Sequence, residues 1–131
     1  MNIIICGAGK VGFSISKQLS AQGHSVTVID QSSEDIKKIN EQQDVKGIVG
    51  RATLPTVLEN AGAENADMVI AVTRNDETNM IVCQLASSLF NVSKKIARIR
   101  TKDFLEGKWG KLYNKSNIPI DVIISPELEV A

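Results

Sequence analysis

The residues best placed for chemistry come early in the chain. Gly7-Ala8-Gly9-Lys10-Val11-Gly12 sets three glycines at GxGxxG spacing, directly after an apolar run and directly before a helical pattern. There each glycine has its own task. Gly7 permits the tight turn, Gly9 lets backbone N–H groups approach an anion closely, and Gly12 lets helix and strand pack together. With the partial positive charge of a helix N-terminus behind them, these N–H groups suit a pyrophosphate. Asp30 lies 18 positions past Gly12, at the end of the next apolar run. A carboxylate there accepts hydrogen bonds from both ribose hydroxyls and repels a 2′-phosphate, which favours NAD(H) over NADP(H). Two plainer readings stand beside these: a ligand-free glycine turn, and Asp30 as a cap for the turn at Ser32-Ser33.

More candidates follow the fourth and fifth apolar runs. Thr73 offers a hydroxyl for a phosphate or ribose, and Arg74 offers charge to neutralise phosphate, unless both simply solvate a loop. Arg98 and Arg100 share one face of the fifth run. A charged side chain in an apolar strand is costly unless paired, so Arg98 should meet an acid or a ligand phosphate, or lie at a wet strand end. Cys6 and Cys83 stand 77 positions apart and match no metal-binding pair, so two packed, reduced thiols are expected. The single histidine, His24, falls in a Gly-containing turn.

These side chains need elements to hold them. The strand candidates are Asn2–Cys6, Ser25–Ile29, Val45–Val49, Met68–Val72, Lys95–Ile99 and Asp121–Ile124, most of them rich in Ile and Val without polar alternation. That is the pattern of parallel strands covered on both faces. Between them, Val11, Ile15 and Leu19 mark one helix face, and Ile36 and Ile39 mark another behind a Ser32/Ser33 cap. Thr53 before Leu54-Pro55 is read as the cap of a short helix that Gly62 follows. The alternation predicts an α/β fold: a Rossmann-like, doubly wound, six-stranded parallel sheet in the order 3-2-1-4-5-6, with helices on both faces.

Composition agrees with one domain of this kind. The chain has 131 residues and equal numbers of acidic and basic side chains, fifteen of each, so it lacks the basic stripe of a nucleic-acid binder. No apolar run approaches the ~20 residues that span a bilayer, and the first residues read as a strand rather than a secretory signal. An oxidoreductase would need a residue to move a proton and a domain to hold substrate. Beside the nucleotide loops only Asp76 and Glu77 are on offer, and both suit a helix start. Binding without catalysis is therefore the preferred reading, with an NAD-dependent oxidoreductase as the alternative.

The strings Ile4 to Gly12, Val28-Ile29-Asp30, Ala61 to Asp67, Ala71 to Asn79 and Ala97 to Arg100 together resemble the N-terminal lobe of the regulator-of-potassium-conductance family, also called RCK or KTN. Thr73-x-x-Asp76-Glu77-Thr78-Asn79 is far more specific than the glycine motif. The resemblance runs nearly end to end. It implies a cytoplasmic, nucleotide-sensing regulatory domain, peripheral on the inner face of the cell membrane, that gates a Trk-type potassium transporter subunit. It also implies NAD or NADH as ligand, with ATP or ADP as alternatives, held by Gly7 to Gly12, Asp30, Thr73, Arg74 and Arg98. Residues 1–124 would form the nucleotide-binding domain, and 125–131 the start of a crossover helix toward a C-terminal lobe. One position departs from the pattern: Arg51 stands where the family usually has Asp or Asn, and it adds positive charge near the adenosine half of the ligand.

The helix read over Asn79–Phe90 is apolar around most of its circumference. A surface helix needs a stripe of only roughly 100°. The excess predicts burial against a second subunit, as a homodimer or larger ring, with Leu89 and Phe90 at the boundary.

Overall fold

The Ile- and Val-rich runs pair into one six-stranded sheet in the order β3-β2-β1-β4-β5-β6, with every neighbouring pair parallel. The computed structural model describes residues 1–125. The strands are β1 (Asn2–Cys6), β2 (Ser25–Asp30), β3 (Lys46–Val49), β4 (Met68–Ala71), β5 (Lys94–Arg98) and β6 (Val122–Ile124). The helices are α1 (Lys10–Ala21), α2 (Ser33–Gln42), α3 (Pro55–Asn60), α4 (Asp76–Phe90) and α5 (Lys102–Leu105). The strand order is the expected doubly wound one. The expected crossover helix at 125–131 lies, apart from Ser125, outside the described residues.

Period-two alternation along β1 divides the core. Ile3 and Ile5 join the cluster beneath α1 and α2, with Val28, Ile36 and Ile39. Ile4 and Cys6 join the opposite cluster beneath α3 and α4, with Leu58, Val82, Cys83 and Ala86. Ile3, Ile4 and Ile5 are each no more than 2% exposed. Full burial of such a side chain contributes about 1.5–3 kcal/mol, which is why β1 has no polar side to show. Both thiols are free and buried. Burial pushes the Cys6 thiol far up and the Cys83 thiol up to about 12, so neither is a thiolate at neutral pH.

Local chemistry sets the helix ends. Ser32 caps α2, its Oγ accepting from the Asp35 N–H at 3.2 Å. Asn75 caps α4 by accepting from the Thr78 N–H at 2.8 Å, so α4 begins at Asp76, ahead of the expected Asn79. Thr53 does not cap α3. Leu54 occupies the cap position without a side-chain bond, Pro55 opens the helix, and Thr53 turns toward the cavity described below. At Gly62, φ of 90° ends this segment in the left-handed conformation that glycine adopts without strain.

The stretch before β6 contains α5 and a 3₁₀ segment, Gly107–Leu112. Strand β6 is held by Asp121. Its carboxylate accepts from the Lys95 N–H at 2.7 Å and pairs with the buried Lys95 ammonium at 3.3 Å.

Candidate functional site

The strand order reverses between β1 and β4. Two loops leaving the same edge in opposite directions must part, and a crevice opens at the carboxyl ends of these strands. Here that crevice is a cavity of about 640 Å³. Of the expected site residues, Gly7, Gly9, Lys10, Val11, Asp30, Arg51, Thr73, Arg74 and Arg98 line it. Ala8 and Gly12 stand behind the wall. Ala8 is buried. A Cβ on Gly12 would run into the carbonyl of Gly7, so this glycine serves the close packing of α1 on its own turn.

The glycine loop is built for a guest. Gly7 has φ of 118°, and a Cβ there would meet the Val72 carbonyl oxygen at 2.9 Å, so the turn between β1 and α1 passes hard against the end of β4. Gly9, by contrast, has nothing within 4 Å of where its Cβ would sit. No side chain caps α1 and no acid occupies its first turn, so the first N–H groups of the helix stay open at the crevice. Each of these features fits an anionic group seated over Gly9.

Asp30 caps its own turn, as one of its two sequence readings has it, and adds a tie to the glycine loop that neither reading contains. Its Oδ1 accepts from the Ser32 N–H at 2.8 Å, the turn-capping role. Its Oδ2 accepts from the Ala8 N–H at 2.7 Å and so ties the glycine loop to the end of β2. A carboxylate has about four acceptor positions, which leaves two for hydroxyl donors in the crevice. The rim is strongly cationic: Lys10, Arg51, Arg74, Arg98 and Arg100 against Asp30 and Asp35, on a chain of zero formal charge. The buried Arg98 Nε lacks a hydrogen-bond partner, and its side chain lines the cavity. His24 lies at the other end of the strands, 3.1 Å from the terminal amino group of Met1.

Two residues on α4 went unrecognised as parts of this site. Asp76, 5% exposed, accepts from the N–H groups of Arg100 at 2.9 Å and Thr101 at 2.8 Å. Burial works to raise its carboxyl. Bonds from the Thr101 side chain and from those two N–H groups, with the Arg100 charge, overcome it and hold the group below its usual value. Asn79, fully buried, bonds both Thr73 and the Arg98 carbonyl. The available signal was an acid and an amide, three residues apart, on the helix face that continues as Met80, Cys83 and Ala86.

Fold and crevice define a Rossmann-like nucleotide-binding domain. The family model described as the TrkA-N domain matches residues 3–126, and the chain belongs to that family. It is 48% identical over 130 residues to the Trk system potassium uptake protein TrkA of Azorhizobium caulinodans, covering 99% of this chain and 28% of that protein. Against the protein of the same name from Haemophilus influenzae it is 43% identical, covering 97% and 28%. The chain thus spans less than a third of the length of these relatives. Among solved structures, the TrkA-N domain of the inner membrane protein ybaL from Escherichia coli superimposes with a TM-score of 0.84 at 19% identity, covering 98% of this chain and 90% of that one. The GsuK channel bound to NAD superimposes at 0.76 and 20% identity, covering 94% and 21%. At these identities the likeness is one of fold.

Proposed function

We propose that this domain binds NAD or NADH and regulates a Trk-type potassium transporter, lying on the cytoplasmic face of the membrane as a peripheral subunit. The observation that carries the reading is the uncapped N-terminus of α1 above an open Gly9, with Asp30 bound to the adjoining Ala8 N–H, at the head of a cationic crevice. The pyrophosphate sits on the N–H groups of the glycine loop. The adenosine ribose hydroxyls donate to Asp30, and Arg98 with Arg74 answers the phosphate charge. Thr73 supplies a hydroxyl at the same edge. Arg51 adds a further cation where a more highly charged ligand, ATP or ADP, would gain from it.

Kinship supports the transporter half of the proposal. The relatives at 43–48% identity are potassium uptake proteins, and among structures of the same fold GsuK is a channel with NAD bound in one case and ADP in another. A regulatory rather than enzymatic role is supported by what lines the crevice. Its titratable groups are two carboxylates and five cations, and Asp30 is engaged by two backbone N–H groups. Occupancy changes the relative stability of loop and subunit arrangements, and that difference is what a transporter reads.

The experiment is a calorimetric comparison of NAD, NADH, NADPH, ATP and ADP on the 131-residue chain. NAD or NADH binding with NADPH at least tenfold weaker supports the reading. ATP or ADP binding in preference moves the ligand to the mononucleotide class. Failure of all five to bind overturns the proposal.

A further inference from the structure

We propose that Asn79 is the positioning residue of the site, the group that ties the Thr73 loop to Arg98 and so sets the Arg98 guanidinium where a ligand's phosphates meet it. The inference rests on the nucleotide-binding reading and adds a residue that touches no ligand. Strands β4 and β5 are paired as far as Ala71 with Ala97. Beyond that pair the chains leave for separate loops, and Thr73 and Arg98 both line the crevice. Thr73 has left the ladder, and Arg98, still paired with Ile124 of β6, has no ladder partner on its β4 side. Buried backbone groups must find partners, and Asn79 supplies them.

Its amide is used to capacity. Oδ1 accepts from the Thr73 N–H at 3.0 Å and from the Thr73 hydroxyl at 2.7 Å. Nδ2 donates to the Thr73 carbonyl at 3.1 Å and to the Arg98 carbonyl at 2.7 Å. Two acceptor and two donor positions are all that an asparagine has. No other side chain of this length offers both kinds. An aspartate has no donor for the two carbonyls, and a leucine has neither. The Thr73 hydroxyl gives its one proton to Asn79 and is thereby held in one rotamer at the crevice edge, with only acceptor lone pairs left over. The Arg98 carbonyl is fixed too, which aims a guanidinium whose Nε has no hydrogen-bond partner. Asn79 itself is 0% exposed and is absent from the cavity wall, so its effect on a ligand passes through these two neighbours.

The test separates positioning from plain stability by using two ligands that differ in phosphate alone. ADP and adenosine are titrated into wild type, Asn79→Ala and Asn79→Asp, with folding checked by circular dichroism. Adenosine is followed by NMR shifts, which read millimolar affinities. Asn79→Ala should weaken ADP about tenfold or more and adenosine less than twofold, because only phosphate contacts depend on the two loops. Asn79→Asp, which keeps both bonds from Thr73 and loses both donors, should fall between. Asn79→Ser, too short to span both loops, replaces the alanine variant if that variant does not fold. Ile39→Ala, on the core face of α2, is the control that lowers stability without touching the loops, and it should leave the ADP-to-adenosine ratio at the wild-type value. An unchanged ratio in the folded Asn79 variants overturns this inference alone, as does an equal fall in Ile39→Ala. A wild-type chain that binds neither ADP nor NADH overturns the nucleotide reading and this inference with it.

Discussion

At Asp30 one carboxylate serves two masters, the loop it holds together and the ribose it would receive. Replacing it with alanine removes a charged acceptor from the crevice and also frees the Ala8 and Ser32 N–H groups. Hydrogen bonds to charged groups are worth about 1.5–3 kcal/mol. Asp30→Ala is therefore expected to weaken NAD(H) roughly 10- to 100-fold and to narrow its advantage over NADP(H), measured by calorimetry on both cofactors. Unchanged affinities would assign Asp30 to the turn alone. Gly9 makes the complementary case. Its φ of −73° with extended ψ is open to any residue, and its Cβ would meet nothing, so Gly9→Val should fold with an unchanged melting temperature. The added side chain then occupies the space reserved for the pyrophosphate, and titration should show binding lost. Normal binding by this variant would reduce the glycine loop to a turn.

Helix α4 is the element that organises the crevice. Its first turn reaches in two directions, with Asp76 gripping the loop after β5 and Asn79 gripping the loop after β4. The Asp76 grip is ionic and so depends on pH. Its carboxyl titrates lower in the folded chain than its unfolded value of 3.8. The stability it contributes is thus complete above about pH 4 and is lost as pH falls through the lower folded value. Asp76→Asn leaves one N–H donor facing an NH₂ group, which is expected to cost about 1–3 kcal/mol at pH 7. Denaturant unfolding at pH 7 and pH 3 checks this: the gap between wild type and variant should shrink at the acid end. A gap that stays constant would mean that shape, not charge, holds the loop.

On the scale of the whole molecule, the same helix carries an exposed apolar stripe. Ile81 and Leu89 are 47% and 54% exposed, and Leu85 stands between them at helical spacing, partly buried. Sequence had assigned the boundary to Leu89 and Phe90. Phe90 instead packs against the core beneath α4, because the helix phase turns it inward, so Ile81 takes its place in the exposed stripe. A two-fold contact through this stripe would bury several large apolar side chains at once, each contributing about 1.5–3 kcal/mol, enough for a micromolar dimer after association costs. Ile81→Ser combined with Leu89→Ser should give a monomer by sedimentation with nucleotide binding intact. A wild-type chain monomeric at tens of micromolar, or a double variant that remains dimeric, would remove α4 from the interface. If the contact forms, the crevice and the interface share one rigid helix, and occupancy of one biases the other.

Much of this protein follows from sequence alone because its signals are local. Short, unalternated runs of β-branched Ile and Val favour strands buried on both faces, and glycines between a strand and a helix favour a tight turn with close backbone approach. Right-handed crossovers leave only a few strand orders, the glycine fingerprint after the first strand favours 3-2-1-4-5-6 among them, and the crevice follows from that order. The resemblance to the RCK family rests on the same local strings, above all Thr73 to Asn79. What only the tertiary structure decided are matters of partnership between distant segments. No pattern in the chain states that Asp30 would bond Ala8, 22 positions away, or that Asp76 would reach Arg100, 24 positions away. Thr53 reads as a cap locally and faces the crevice in space. Asn79 reads as one polar residue on an apolar helix, and becomes the link between two loops only when β4 and β5 lie side by side. A side chain's type is written in sequence, but a hydrogen bond has a direction and a length, and both are set by the fold that brings donor to acceptor.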